Sequence, residues 1–234
     1  MKRPIRASLA LVVLAGLVLP ATMRGADTVS LKKGDKVLFL GDSITQAAVG
    51  KDGYITVIKK ELDEKHKDLG VQTIGAGISG NKVPDLQRRL EKDVLAKQPN
   101  IVFIYIGIND VWHGENDPAK GTPKDKFEAG LKEIIERITK AGGKVVLCTP
   151  TVIGEKKDGA NKLDARLDEY AAVTRMIAKG MNLPLCDLRR AFVDYLKANN
   201  PDNKESGILT SDRVHLNAAG NKLVAETMLK MLAP

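Results

Sequence analysis

The sequence predicts an α/β protein built on a doubly wound parallel sheet with helices on both faces, and three observations predict it. Five short apolar runs, at residues 37–40, 71–74, 101–106, 144–148 and 183–186, are spread along the chain. They are rich in apolar and β-branched residues, and the first, 37–40, is apolar without interruption, as strands buried on both faces are. The segments between them carry apolar residues at helical spacing. Strand–helix alternation of this kind makes a parallel sheet between two helical layers, and right-handed crossovers leave few strand orders. The expected sheet has five strands in the order 2-1-3-4-5.

Before the first strand comes a different kind of sequence. Lys2, Arg3 and Arg6 precede an uncharged apolar run over residues 7–21. A basic start, a short apolar run and small residues are the layout of a secretory signal. The run is short beside the roughly 20 residues of a membrane span. Residues 1–25 are therefore assigned to a signal peptide, with a cut after Ala21, Gly25 or Ala26, and residues 26–234 to one domain. Loss of the leader removes four basic residues and no acidic one, taking the net charge from +8 to +4. The remaining basic residues are interleaved with acids along helical stretches, which a solvated surface explains better than a nucleic-acid site, and no nucleic-acid partner is expected. No stable membrane insertion is expected after cleavage.

The first strand, 37–40, stops at Gly41-Asp42-Ser43. In open α/β sheets chemistry collects at the carboxyl ends of strands. Ser43 is placed there like a nucleophile, although Asp-Ser after a strand also caps helices. Tyr54, Val57, Ile58 and Leu62 then make a helix face. The second strand leads into Gly75-Ala76-Gly77-Ile78-Ser79-Gly80-Asn81, where glycine lets a backbone N–H approach a ligand. This run lacks the Gly-Lys-Ser/Thr ending of a phosphate loop. Val83, Leu86, Leu90 and Val94 form the next helix face.

The third strand ends in Gly107-Ile108-Asn109-Asp110, and the Asn109 amide is suited to donating to a developing oxyanion. Phe127, Leu131, Ile134, Ile135 and Ile138 give the clearest amphipathic helix, followed by one through Leu163, Leu167, Tyr170, Thr174 and Ile177. Cys148 and Cys186, each late in a strand, suit a disulfide in an exported protein and a pair of buried thiols equally well. With no Cys-x-x-Cys and three scattered histidines, no metal site is expected. A short helix is expected over 189–198. Asn217 caps a last helix that buries Leu223, Val224, Met228, Leu229 and Leu232.

Just before that helix stands Ser211-Asp212-Arg213-Val214-His215-Leu216-Asn217. An acid three residues ahead of a histidine in a loop can curl back onto imidazole Nδ1, leaving Nε2 as a base. Nucleophile, base, orienting acid and oxyanion donors thus occur in order at strand ends and at one helix entry.

The stretches GDSIT, GISGN, GIND and DRVHLN resemble the conserved blocks of the GDSL-type esterases and lipases of the SGNH hydrolase superfamily, over about residues 37–232. Ile44 stands where the family name has leucine. The resemblance implies a flavodoxin-like three-layer α/β/α sandwich, with Ser43 as nucleophile, His215 as base and then acid, and Asp212 as orienting acid. It also implies an oxyanion hole from the Ser43 and Gly80 N–H groups and the Asn109 side chain. The activity implied is ester hydrolysis through an acyl-enzyme, without metal or organic cofactor.

The loops at 111–124 and 150–162 are polar and long, and aromatic residues are 4% of the chain. A short acyl group on a polar carrier, such as an acetylated sugar, suits these loops better than the long chain of a lysophospholipase or thioesterase ester. Trp112 is the candidate sugar-stacking residue, and packing against the sheet edge explains it equally well. His113 reads as an ordinary loop residue. A non-catalytic glycan or lipid binder has no use for Ser43, Asn109, Asp212 and His215 together.

Overall fold

The computed structural model describes residues 28–233. The leader assigned to residues 1–25, with its cut site, lies outside them. Five parallel strands, β1 (Lys36–Gly41), β2 (Gln72–Gly77), β3 (Ile101–Tyr105), β4 (Lys144–Cys148) and β5 (Leu185–Cys186), form one sheet in the order β2-β1-β3-β4-β5. This is the α/β sheet and strand order expected from the sequence.

Two strands differ from the apolar runs by more than one residue at an end. The second runs on through Gly75, Ala76 and Gly77, because pairing with Phe39, Leu40 and Gly41 overrides the poor strand propensity of glycine. The fifth begins only after Pro184, which has no N–H to give the ladder, although its carbonyl accepts from Leu147 N–H at 3.0 Å. A two-residue parallel pair, Val29–Ser30 with Leu232–Ala233, joins the two ends of the described chain and has no counterpart in the sequence reading. Leu232, expected on the last helix, belongs to this pair.

The helices are α1 (Ser43–Ala47), α2 (Tyr54–Lys65), α3 (Val83–Asp93), α4 (Ile108–Trp112), α5 (Lys124–Lys140), α6 (Asp164–Gly180), α7 (Leu188–Asn199) and α8 (Ala218–Leu229). In one group α2 and α7 pack on α8; in the other α3 and α6 pack on α5. The faces read from spacing are the buried ones, including Leu86, Leu90, Phe127, Leu131 and Ile134. Between the layers, Phe39 of β1 stacks on Phe103 of β3 with ring centroids 5.2 Å apart and meets Tyr54 of α2 edge-on. Cys148 and Cys186 sit opposite each other on β4 and β5 as free, buried thiols.

Register is what gathers the site. Gly77, Gly41, Tyr105, Cys148 and Cys186 are aligned partners across all five strands, so the segments that follow leave the sheet at one common edge. Close approach there depends on Gly77: a Cβ on it would stand 2.1 Å from the backbone nitrogen of Gln46 in α1. Among the described residues no helix is long and apolar enough to cross a membrane.

Candidate active site

Ser43 is the first residue of α1. Asp42 caps this short helix by accepting the Ile44 N–H at 3.0 Å, and Tyr54 Oη secures its first turn by donating to Thr45 Oγ1 at 2.9 Å. The aspartate of this pair therefore caps the helix, while the serine hydroxyl is turned to His215. As the first helical residue, Ser43 has an N–H with no intrahelical acceptor.

Ser43 Oγ lies 2.9 Å from His215 Nε2, and His215 Nδ1 lies 2.7 Å from Asp212 Oδ2. An ionised carboxylate only accepts hydrogen bonds, so the proton belongs on Nδ1 and Nε2 is left to accept from the Ser43 hydroxyl. Partial burial pushes the Asp212 carboxyl up, but bonds from the His215 side chain and backbone outweigh it and hold the group below the usual carboxylate range. The site is open: the side chains of His215 and Asp212 are 38% and 53% exposed.

The segment bearing Asp212 and His215 is tightly held. Thr210 and Leu216 form an antiparallel bridge, and Ser211 N–H donates to the His215 carbonyl at 2.8 Å. Arg213, between the acid and the base, adopts φ +83°, a strained conformation for a non-glycine residue. Its carbonyl accepts from Gly154 N–H at 2.8 Å. Beneath this loop lies Glu155, fully buried. Its carboxylate accepts from the N–H groups of Ile208 (2.8 Å), Leu209 (2.7 Å) and Thr210, and from Thr210 Oγ1 (2.7 Å). Sequence reasoning missed Glu155 because it stands as one charge among many in a polar loop.

Asn109 is the second residue of α4 and is buried; its Nδ2 donates to the Asn81 carbonyl at 3.1 Å, which fixes the orientation of the amide. The next residue, Asp110, accepts the Val83 N–H at 3.0 Å, so Asn109 and Asp110 together dock the turn ending at Asn81 and the start of α3. Burial pushes the Asp42 carboxyl up to about 7, with the Asp110 charge adding to it, and pushes Asp110 up to about 6. Gly80 sits at φ +74°, and its N–H donates to no described residue. His113, read as a loop residue, lies one helical turn beyond Asn109 with its Cε1 about 4.0 Å from where a Gly80 Cβ would stand. Burial and the Lys82 charge hold its imidazole below the usual histidine range. Trp112 is half-buried and packs against the hydrophobic core. No cluster of metal-ligating side chains occurs among the described residues.

The family model described as GDSL-like Lipase/Acylhydrolase family matches residues 39–223. A solved acetyl xylan esterase, AlAXEase, superposes with a TM-score of 0.80 at 47% identity, over 83% of this chain and 98% of that one. An acetylxylan esterase of Geobacillus stearothermophilus is 33% identical over 212 residues, 84% of this chain and 93% of its own. Its solved structures include variants described as catalytic mutants, in which a serine, an aspartate or a histidine is replaced by alanine. An isoamyl acetate-hydrolyzing esterase 1 homolog of Rattus norvegicus is 25% identical over 81% of this chain and 78% of its own.

Proposed function

The chain belongs to the GDSL-like lipase/acylhydrolase family and is a carboxylic ester hydrolase, and from that premise we propose that it is an exported serine esterase that removes acetyl groups from a carbohydrate carrier through an acyl-enzyme. The observation that carries the mechanism is the continuous pair of hydrogen bonds from Ser43 to His215 (2.9 Å) and from His215 to Asp212 (2.7 Å).

In the first step His215 Nε2 takes the Ser43 proton as Oγ attacks the ester carbonyl, and Asp212 stabilises the imidazolium that results. The charge that develops on the carbonyl oxygen is met by the N–H groups of Ser43 and Gly80 and by Asn109 Nδ2. His215 then returns the proton to the departing alcohol, and the acyl group stays on Oγ. Water, deprotonated by the same imidazole, repeats the attack and releases the acid.

Supporting a sugar-borne acetyl group are the acetylxylan esterase relatives and the exposure of the acid–base side, which leaves room for a bulky, polar alcohol. Export rests on the layout of residues 1–25, and N-terminal sequencing of the secreted protein tests it.

The functional test is hydrolysis of p-nitrophenyl acetate, butyrate, octanoate and palmitate, with acetylated xylo-oligosaccharide beside them. Strong acetate turnover that disappears in Ser43→Ala, with acetate released from the oligosaccharide, is the expected result. A maximum at octanoate would move the substrate to a lysophospholipid or thioester. Absence of Ser43-dependent turnover on every ester would leave a binding protein.

A further inference from the structure

Arg89 takes no part in the chemistry above, yet it touches the segments that carry all three oxyanion donors. It lies on α3 with its side chain only 12% exposed. Its Nη2 donates to the carbonyls of Gly41 at 2.8 Å and Ala76 at 3.0 Å, the former at the end of β1 and the latter one residue short of the end of β2. Its Nε donates to Asn81 Oδ1 at 2.7 Å, and its Nη1 pairs with Asp93 at 3.1 Å.

Each of the first three contacts leads to a donor. Gly41 is two residues before Ser43. Ala76 lies in the strand that leads to the Gly80 turn, four residues ahead of Gly80, and Asn81 follows Gly80 directly. The Asn81 carbonyl in turn accepts from Asn109 Nδ2 at 3.1 Å. A guanidinium is a rigid plane with donors in a fixed fork, so one that bonds three acceptors also sets the distances between them. The ammonium of lysine, a point charge on a flexible stem, does not.

We propose that Arg89 is a positioning residue for the oxyanion hole. By clamping Gly41, Ala76 and Asn81 it fixes the spacing of the Ser43 N–H, the Gly80 N–H and Asn109 Nδ2. This rests on the esterase reading. Donors aimed at a charge that exists only in the transition state lower the barrier without binding the ground-state ester. Loosening the clamp therefore lowers kcat and leaves KM in place.

The experiment compares Arg89→Met and Arg89→Lys, each in the parent and in Asn109→Ala, on p-nitrophenyl acetate, with side-chain amide exchange of Asn109 followed by NMR. A misplacement near an ångström costs about a hundredfold, so Arg89→Met is expected to lower kcat by about 10- to 100-fold with KM within about twofold. Arg89→Lys recovers a minor part of that loss. In the Asn109→Ala background the same substitution costs several-fold less, since one of the donors it aligns is already gone. The Asn109 NH₂ signals shift and exchange at least about tenfold faster in Arg89→Met. Equal losses in both backgrounds, a rise in KM at constant kcat, or unchanged Asn109 exchange would each overturn the proposal. The exchange measurement needs no turnover, so it decides the matter even where the parent proves inactive and the esterase reading itself fails. Arg89→Lys supplies the same readout where Arg89→Met does not fold.

Discussion

Asp212 holds His215 twice: Oδ2 bonds the imidazole Nδ1 at 2.7 Å, and Oδ1 bonds the backbone N–H of the same residue at 2.7 Å. The acid thereby fixes ring and main chain together, which its place three residues earlier in the same loop makes possible. The two substitutions at this position should accordingly separate structure from chemistry. Asparagine keeps an oxygen for the backbone N–H but presents an NH₂ to Nδ1, forcing the proton onto Nε2, where it blocks acceptance from Ser43. Asp212→Asn is expected to lower kcat by roughly 10²- to 10⁴-fold, with the lower figure reflecting the solvent-exposed carboxylate, while Tm stays near that of the parent. Asp212→Ala should lose as much activity and in addition about 1 kcal/mol of stability from the vacated backbone bonds. Steady-state kinetics beside thermal melts check both, and an Asp212→Asn enzyme of near-parent kcat would remove Asp212 from the triad.

Glu155 is the anchor of that loop. Four hydrogen bonds converge on one buried carboxylate, three of them from consecutive backbone N–H groups. Glutamine supplies one accepting oxygen and turns its NH₂ toward N–H groups that need an acceptor. Glu155→Gln is therefore expected to cost about 2–4 kcal/mol of stability and to reduce kcat, since the 208–210 segment leads directly into Asp212 and His215. Urea denaturation together with p-nitrophenyl acetate kinetics tests this. A neutral substitution would show that the bridge between Thr210 and Leu216 suffices alone.

The strand order, the helix faces and the motif at 212–217 were legible because each is a local pattern: an uninterrupted apolar run, a 3.6-residue period, an acid three residues ahead of a histidine. Glu155 and Arg89 were not, because their partners lie elsewhere in the chain and the sequence marks neither. Glu155 reaches across more than fifty residues to 208–210. Arg88 and Arg89 look alike as neighbours on a charged helix. Only the fold turns Arg89 toward the strand ends, while Arg88 stays at the surface beside Asp85. The approach of His113 to Gly80 was hidden for the same reason, since it follows from two strand-end loops meeting.

Asp42 makes a pH-dependent contribution whose sign follows from its burial. Its carboxyl is raised to about 7 from an ordinary 3.8. Between those values the folded chain holds a proton that the unfolded chain has released, so folding stability falls as pH rises through the window. Asparagine keeps the capping oxygen for Ile44 and cannot ionise. Urea midpoints taken at about pH 4.5 and about pH 7.5 should fall less in Asp42→Asn than in the parent, with the remaining fall owed in part to Asp110, raised to about 6. Equal falls in both proteins would mean that Asp42 ionises freely.

Three glycines precede Asn81, and alanine substitutions should rank them by role. At Gly75 a Cβ meets Val49 Cγ1 at 2.6 Å, the end of an exposed side chain that can turn away, and Ile55 Cδ1 at an ordinary contact distance of 3.5 Å, so little change is expected. At Gly77 the Cβ would press on backbone of α1, with Gln46 N at 2.1 Å and Asp42 O at 2.7 Å. Backbone cannot rotate aside, and a loss of roughly 3 kcal/mol with displacement of Ser43 should follow. Gly80 has room for a Cβ, its nearest neighbour being His113 Cε1 at 4.0 Å, and the penalty there is that of φ +74°. Gly80→Ala should then cost only about 1–2 kcal/mol of stability. Its effect on kcat should be out of proportion to that, because relief of the strain rotates the N–H away from the oxyanion. Comparing Tm with kcat across the three variants separates the donor from the spacer: a Gly80→Ala enzyme with full activity would pass the oxyanion role to another N–H of this turn.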